Sequence, residues 1–171
     1  MQVRPIGVIH TPFCSASGTP IQPSAAKGTV GTIEIFDRYQ EGLNDLEGFE
    51  RIWLIYWFHK AAKHKIKVVP YLDDQERGLF STRAPSRPNP LGISAVRLLK
   101  IDGNILTIGD VDILTGTPLL DIKPYVPQFD CFRVRRCGWV GRMSSDSVVA
   151  DDRFEKAAGK TGGKGSKSRR W

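Results

Sequence analysis

Residues 80–94 read Phe-Ser-Thr-Arg-Ala-Pro-Ser-Arg-Pro-Asn-Pro-Leu-Gly-Ile-Ser, placing three prolines and two arginines between two apolar runs. Proline fixes φ, lacks an N–H and pushes the residue before it out of the α region. Pro85, Pro88 and Pro90 therefore dictate a stiff, extended loop and exclude both a helix and a central strand. Such a loop holds Arg83, Arg87 and Asn89 in fixed directions. Two guanidinium forks and an amide so held suit the grip of a polar or anionic ligand. A rigid surface turn with solvated arginines is the equally simple alternative.

The segments around this loop predict short strands. Val3, Ile6, Val8 and Ile9 form a first strand ending near Thr11-Pro12. Residues 14–28 are turn-rich and form a loop able to approach a ligand. Residues 29–36 alternate with period two, as in a half-buried strand. Residues 37–49 carry Tyr39, Leu43 and Leu46 at helical spacing and predict one or two short helical turns. Residues 51–59, Arg-Ile-Trp-Leu-Ile-Tyr-Trp-Phe-His, are too continuously apolar to alternate and read as a central strand. Residues 78–83 predict a strand feeding the proline loop. A hairpin follows, with strands over 93–101 and 105–114, because Asp102-Gly103 supplies the positive-φ residues a tight turn wants. Residues 119–125 and 131–140 predict two more strands. Seven or so strands with little helix imply an antiparallel barrel or sandwich.

Length and charge narrow the reading further. At 171 residues the chain suits one domain with its own core. No apolar run reaches the roughly 18 residues of a membrane span, and the N-terminus lacks a secretory h-region, so the expectation is a cytoplasmic protein. Cys14, Cys131 and Cys137 share no metal-ligand or CxxC spacing and read as reduced thiols. The net charge of +7 is uneven: residues 1–155 hold 19 basic against 18 acidic residues, and six basic residues with no acidic one follow from Lys156. The expected organisation is a barrel domain over 1–150 and a flexible basic tail over 151–171, disordered when alone. Gly159-Lys160-Thr161 lacks the upstream glycine of a phosphate-binding loop. A GxGxxG after a strand, a GxSxG and an HExxH are absent, which argues against Rossmann, serine-hydrolase and zincin chemistry.

Four segments in order (4–10, 46–56, 80–94 and 116–125) resemble the TsaA-like (TrmO) family of tRNA methyltransferases over about residues 3–130. Arg83 with Arg87-Pro-Asn-Pro-Leu-Gly is the most specific part. The resemblance implies an S-adenosyl-L-methionine enzyme on a β-barrel, acting as a homodimer on the anticodon loop of tRNA. Its reaction would be methylation of N6 in threonylcarbamoyl-adenosine at position 37, without a metal or a membrane. It also implies a cofactor site. Gln22, Pro23 and Ser24 match the cofactor loop, and His59 and Lys60 match a His-plus-polar pair. Arg83 and Ile93 bracket the proline loop, and Asp112, Ile113, Leu114 and Thr115 complete the pocket. Thr115 stands where the family usually has aspartate, and Ser24 where a small residue such as glycine is common.

In-line methyl transfer needs alignment and charge stabilisation more than covalent help. Asp112 suits the cofactor's amino group or ribose, and Asp112, His59 and Tyr125 are the groups able to take the acceptor's proton. Trp53, Tyr56 and Trp57 read as core more readily than as a stacking platform. Lys63, Lys65, Lys67, Arg77, Arg87 and the tail are candidate phosphate contacts. The alternatives are a barrel that binds the same cofactor for another acceptor or as a non-catalytic module, and an RNA-binding barrel without catalysis.

Overall fold

The computed structural model describes residues 2–142 and 149–155, so the basic run from Lys156 lies outside the described residues. In chain order the strands are β1 (Gly7–His10), β2 (Val30–Ile35), β3 (Arg51–Trp57), β4 (Lys67–Val68), β5 (Arg77–Gly78), β6 (Leu91–Asp102), β7 (Ile105–Gly109) and β8 (Thr117–Pro124). Six of them close into an antiparallel barrel in the order β1-β2-β7-β6-β3-β8, while β4 and β5 pair separately. Between the expected barrel and sandwich, the closed ring decides for the barrel. Among the described residues helix is confined to 3-10 turns and the single-turn α1 (Pro127–Asp130).

Branched and leucine side chains at alternate positions fill the interior. Ile9, Ile33, Ile52, Val96, Ile108 and Leu119 have no exposed surface, each worth about 1.5–3 kcal/mol relative to exposure. β3 departs from the expectation of a strand without alternation. Ile52, Leu54 and Tyr56 point inward while Trp53, Ile55 and Trp57 face outward, and the run looks continuous only because its outer face is apolar too. The expected helical turns over 37–49 are the 3-10 segments Asp37–Leu43 and Leu46–Gly48.

The hairpin forms with Asp102 opposite Ile105, but only Gly103 takes a positive φ, of 61°. Its second strand stops at Gly109 rather than near residue 114, because Asp110 enters the left-handed region at φ 60°. That conformation, uncommon for a residue with a side chain, is held in place by the carboxylate. Asp110 accepts hydrogen bonds from Gly28 N–H (3.1 Å) and from the Arg51 guanidinium (3.0 Å).

Two other expected strands are absent. Of residues 78–83 only Gly78 is paired; a 3-10 turn over Leu79–Ser81 follows and buries Leu79 beside Val68, Ala84 and Phe154. Residues 131–140 make no strand, since a closed barrel leaves no edge to extend. The proline segment, residues 82–90, has no regular structure, as its prolines require. Residues 149–155 return to the body: Phe154 C=O accepts from Ala62 N–H (2.8 Å) and Ser86 Oγ (3.2 Å).

Candidate functional site

Antiparallel pairing brings the end of β3, the start of β6, the end of β7 and the start of β8 to one mouth of the barrel. Inside this mouth Tyr56 on β3 and Ser94 on β6 face the interior, and Asp112 reaches them from the loop between β7 and β8. Ser94 Oγ donates to Asp112 Oδ1 at 2.8 Å. A hydroxyl has one proton to give, so the 3.1 Å contact between Tyr56 OH and Ser94 Oγ runs from the phenol to the serine. The result is a relay from Tyr56 through Ser94 to the Asp112 carboxylate.

Burial pushes the Asp112 carboxyl up to about 6, against the Ser94 hydrogen bond, a backbone hydrogen bond and the positive charge of Arg83. The Tyr56 phenol is raised by burial first and by the Asp112 charge second. The Tyr56 ring packs edge-on against Phe58, with centroids 5.2 Å apart. Gly92 makes room for it: a Cβ there would overlap the Tyr56 ring and press on Phe58.

Arg83 is exposed on the proline loop and donates through Nη1 to Gln22 Oε1, joining that loop to the turn Pro23–Ala25. Pro23 opens this turn at a position where its missing N–H costs nothing. Ser24 is exposed beside it. Lys60 donates through Nζ to Cys14 C=O at 2.6 Å. The Thr117 hydroxyl donates to Leu114 C=O (2.7 Å) and lies 3.4 Å from Nδ1 of His59. Thr11 Oγ1 donates to Ile113 C=O (2.6 Å), and Thr115 N–H donates to Phe13 C=O (2.8 Å). The Thr115 hydroxyl, where the family usually has aspartate, accepts from Thr11 N–H at 3.3 Å.

The structure thus gathers Gln22, His59, Lys60, Arg83, Asp112, Leu114 and Thr115 at one mouth. Ile113 contributes its backbone there, but its side chain is core, 2% exposed. Ile93 faces the other way: it neighbours inward-facing Ser94 on β6 and is 56% exposed on the outer wall. Tyr125 lies beyond β8 at the opposite end, its N–H bonded to Arg51 C=O and its ring 5.5 Å from that of Trp53. Arg87 turns one end of its guanidinium into the loop itself. It donates to the carbonyls of Thr82 (3.0 Å), Leu79 (3.4 Å) and Ala84 (3.4 Å), and so staples the proline loop. Arg77 is bound to Asp73 at 2.7 Å.

Ser94 and Thr117 also line this mouth; they lie in the resembling segments 80–94 and 116–125 but were not singled out as site residues. Ser94 was detectable as the one hydroxyl among inward positions of an alternating strand. Among the described residues no group of His, Cys, Asp or Glu is placed to hold a metal ion, and no helix is long and apolar enough to cross a membrane.

Residues 8–131 match the model of the tRNA-methyltransferase O N-terminal domain. A probable S-adenosyl-L-methionine-binding protein of Pyrococcus abyssi is 57% identical over 137 residues, covering 80% of this chain and 74% of that protein. The human tRNA (adenine(37)-N6)-methyltransferase is 35% identical, covering 74% of this chain and 30% of the human one. The crystal structure of TrmO from Pseudomonas aeruginosa superposes with a TM-score of 0.69 at 37% identity, covering 81% of this chain and 62% of that chain. The present chain therefore spans about three fifths of the bacterial structure and under a third of the human protein.

Proposed function

Because the chain belongs to the tRNA-methyltransferase O family, we propose that it is an S-adenosyl-L-methionine-dependent methyltransferase acting on N6 of threonylcarbamoyl-adenosine at position 37 of tRNA, in the cytoplasm. The observation that carries this reading is the mouth itself, where Arg83 is tied to Gln22 and faces the Asp112 carboxylate that ends the Tyr56–Ser94 relay.

The donor set fits the cofactor's chemistry. S-adenosyl-L-methionine has an ammonium and a sulfonium cation, a carboxylate, ribose hydroxyls and an adenine. Asp112 would hold a cationic or ribose donor group; Arg83 and Lys60 would hold the carboxylate; the Gln22 loop and the carbonyls of residues 113–114 offer neutral partners. When bound, the cofactor supplies an electrophilic methyl group. The chain's own part is alignment and charge placement. Asp112 is ionised at neutral pH and stands as the proton acceptor at this mouth, with His59 beside it. Tyr125, at the far end, is removed from that role. A second reading, a barrel that binds the cofactor for another acceptor or as a non-catalytic module, draws support from the archaeal relatives, whose names state only cofactor binding.

Cofactor binding tests the site. S-adenosyl-L-methionine titrated into the protein with chelator present should bind, and Arg83→Ala should weaken that binding by about 1–3 kcal/mol, the range for a charged hydrogen bond. Equal affinity in the two proteins would return Arg83 to a solvated turn.

A homodimer completes the proposal. Trp57 pairs with Leu91 and Ile55 with Ile93, and Trp57, Leu91 and Ile93 are 37%, 42% and 56% exposed on the outer wall beside the mouth. A second copy against this wall would border the cofactor site and give Ile93 the contact its direction denies it within one chain. Sedimentation at micromolar concentration should show a dimer; a monomer that still transfers methyl groups contradicts this.

A further inference from the structure

After β8 the chain turns through α1 and runs as a strap from the far end of the barrel back toward the mouth. Its start is fixed by Tyr125 on Trp53 and by Asp130, whose carboxylate accepts from Val126 N–H at 2.8 Å. Its end is fixed by Trp139, which donates Nε1–H to Ser81 C=O at 2.9 Å and lies under the Arg77 guanidinium, 5.6 Å from the ring centre. Ser81 precedes Arg83 by two residues, so the strap ends beside the candidate cofactor site.

Between these anchors residues 131–138 are exposed throughout, including Phe132 at 77% and Val134 at 68%. Residues 131–142 hold Arg133, Arg135, Arg136 and Arg142 and no carboxylate. The remainder of residues 1–155 holds fifteen basic and eighteen acidic residues, so the positive charge of the body is concentrated here. Among the described residues none of these four guanidiniums has a hydrogen bond or ion pair. Other arginines of the body, Arg51, Arg77, Arg87 and Arg153, are spent on carboxylates or carbonyls.

We propose that this strap is a docking surface for the tRNA backbone, with Arg133, Arg135 and Arg136 contacting phosphates and Phe132 stacking on an unpaired base. The charge selects the occupant: three unpaired guanidiniums within four residues complement a polyanion and would repel one another unless neutralised. Exposed aromatic rings set among arginines suit unstacked bases. Anchoring at both ends limits how far the strap can move, so binding has less chain to order. The proposal rests on the tRNA reading above, and specifies where that substrate is held.

The test measures tRNA affinity of the full chain across a salt series. Replacing Arg133, Arg135 and Arg136 together with glutamine should flatten the slope of log affinity against log salt by about two to three units. Cofactor affinity and sedimentation mass should stay those of the unaltered protein. Phe132→Ala should weaken tRNA about fivefold or more with the slope unchanged. A triple-arginine variant with the original slope overturns the proposal, as does a loss seen only when Lys63, Lys65 and Lys67 are neutralised instead. A changed sedimentation mass with an unchanged slope would make the strap a subunit contact and overturn it equally. If the unaltered chain methylates tRNA while the variant keeps its slope, the strap assignment falls alone. If the unaltered chain does not bind tRNA, the functional reading falls with it.

Discussion

Gly92→Ala is expected to destabilise the fold by about 2–4 kcal/mol and to lower Tm by about 5–15 °C. The new methyl would stand where the Tyr56 ring lies, with Phe58 behind it. Neither ring is the loose end of a flexible chain. Tyr56 is 4% exposed, is flanked by core residues and is tied through its hydroxyl to Ser94. Relief therefore requires the ring to leave its place, which combines overpacking strain with a lost buried hydrogen bond. Cofactor binding should weaken together with stability, because the Ser94–Asp112 contact is the next link. Thermal unfolding of Gly92→Ala, alone and combined with Tyr56→Leu, checks this. The smaller residue at 56 should restore part of the loss, as adjacent sites couple. An unchanged Tm in the single variant would mean that the barrel wall yields easily at this point.

How much of this was legible beforehand depends on how far each residue's partners lie along the chain. β2 was readable because its inner and outer faces differ in polarity. β3 hid its alternation because tryptophans and isoleucine cover its outer face. The prolines announced the loop, yet Arg83 and Arg87 look alike in sequence. They differ because the turn Leu79–Ser81 and the bend after it aim three carbonyls at Arg87, while Arg83 is left to meet Gln22. No local rule foretells that Asp110 takes a left-handed conformation, since Arg51 and Gly28 hold it from far along the chain. The strand expected over 131–140 suited local propensity, and ring closure removed its partner. The candidate cofactor residues came from the family resemblance. The structure adds the hydroxyls of Tyr56, Ser94 and Thr117, which hydrogen-bond to or lie against Asp112, Leu114 and His59.

Asp112→Asn should separate stability from activity. A carboxyl with a folded pKa of about 6, above its ordinary value, holds its proton more tightly in the folded state. Stability from this group is therefore full below about pH 4, falls as pH rises to about 6, and stays reduced above that. Asparagine keeps an oxygen for the Ser94 hydroxyl and carries no charge to desolvate. The variant should gain up to about 3 kcal/mol at pH 7.5 and nothing near pH 4. On the proposed function the same change removes the anion that would meet the cofactor and the acceptor's proton. Methyl transfer should fall by a factor of about 10²–10⁴. In the unaltered protein kcat/KM should fall as pH drops through about 6.

The most direct measurement of the central claim follows the methyl group into RNA. Threonine tRNA bearing threonylcarbamoyl-adenosine is incubated with the protein and S-adenosyl-L-methionine, digested to nucleosides and analysed by mass spectrometry. One added methyl is expected on the modified adenosine at position 37, formed by the unaltered chain and nearly absent with Asp112→Asn. Cofactor bound in the mouth with no methyl entering that nucleoside, or equal transfer by the two proteins, would contradict it.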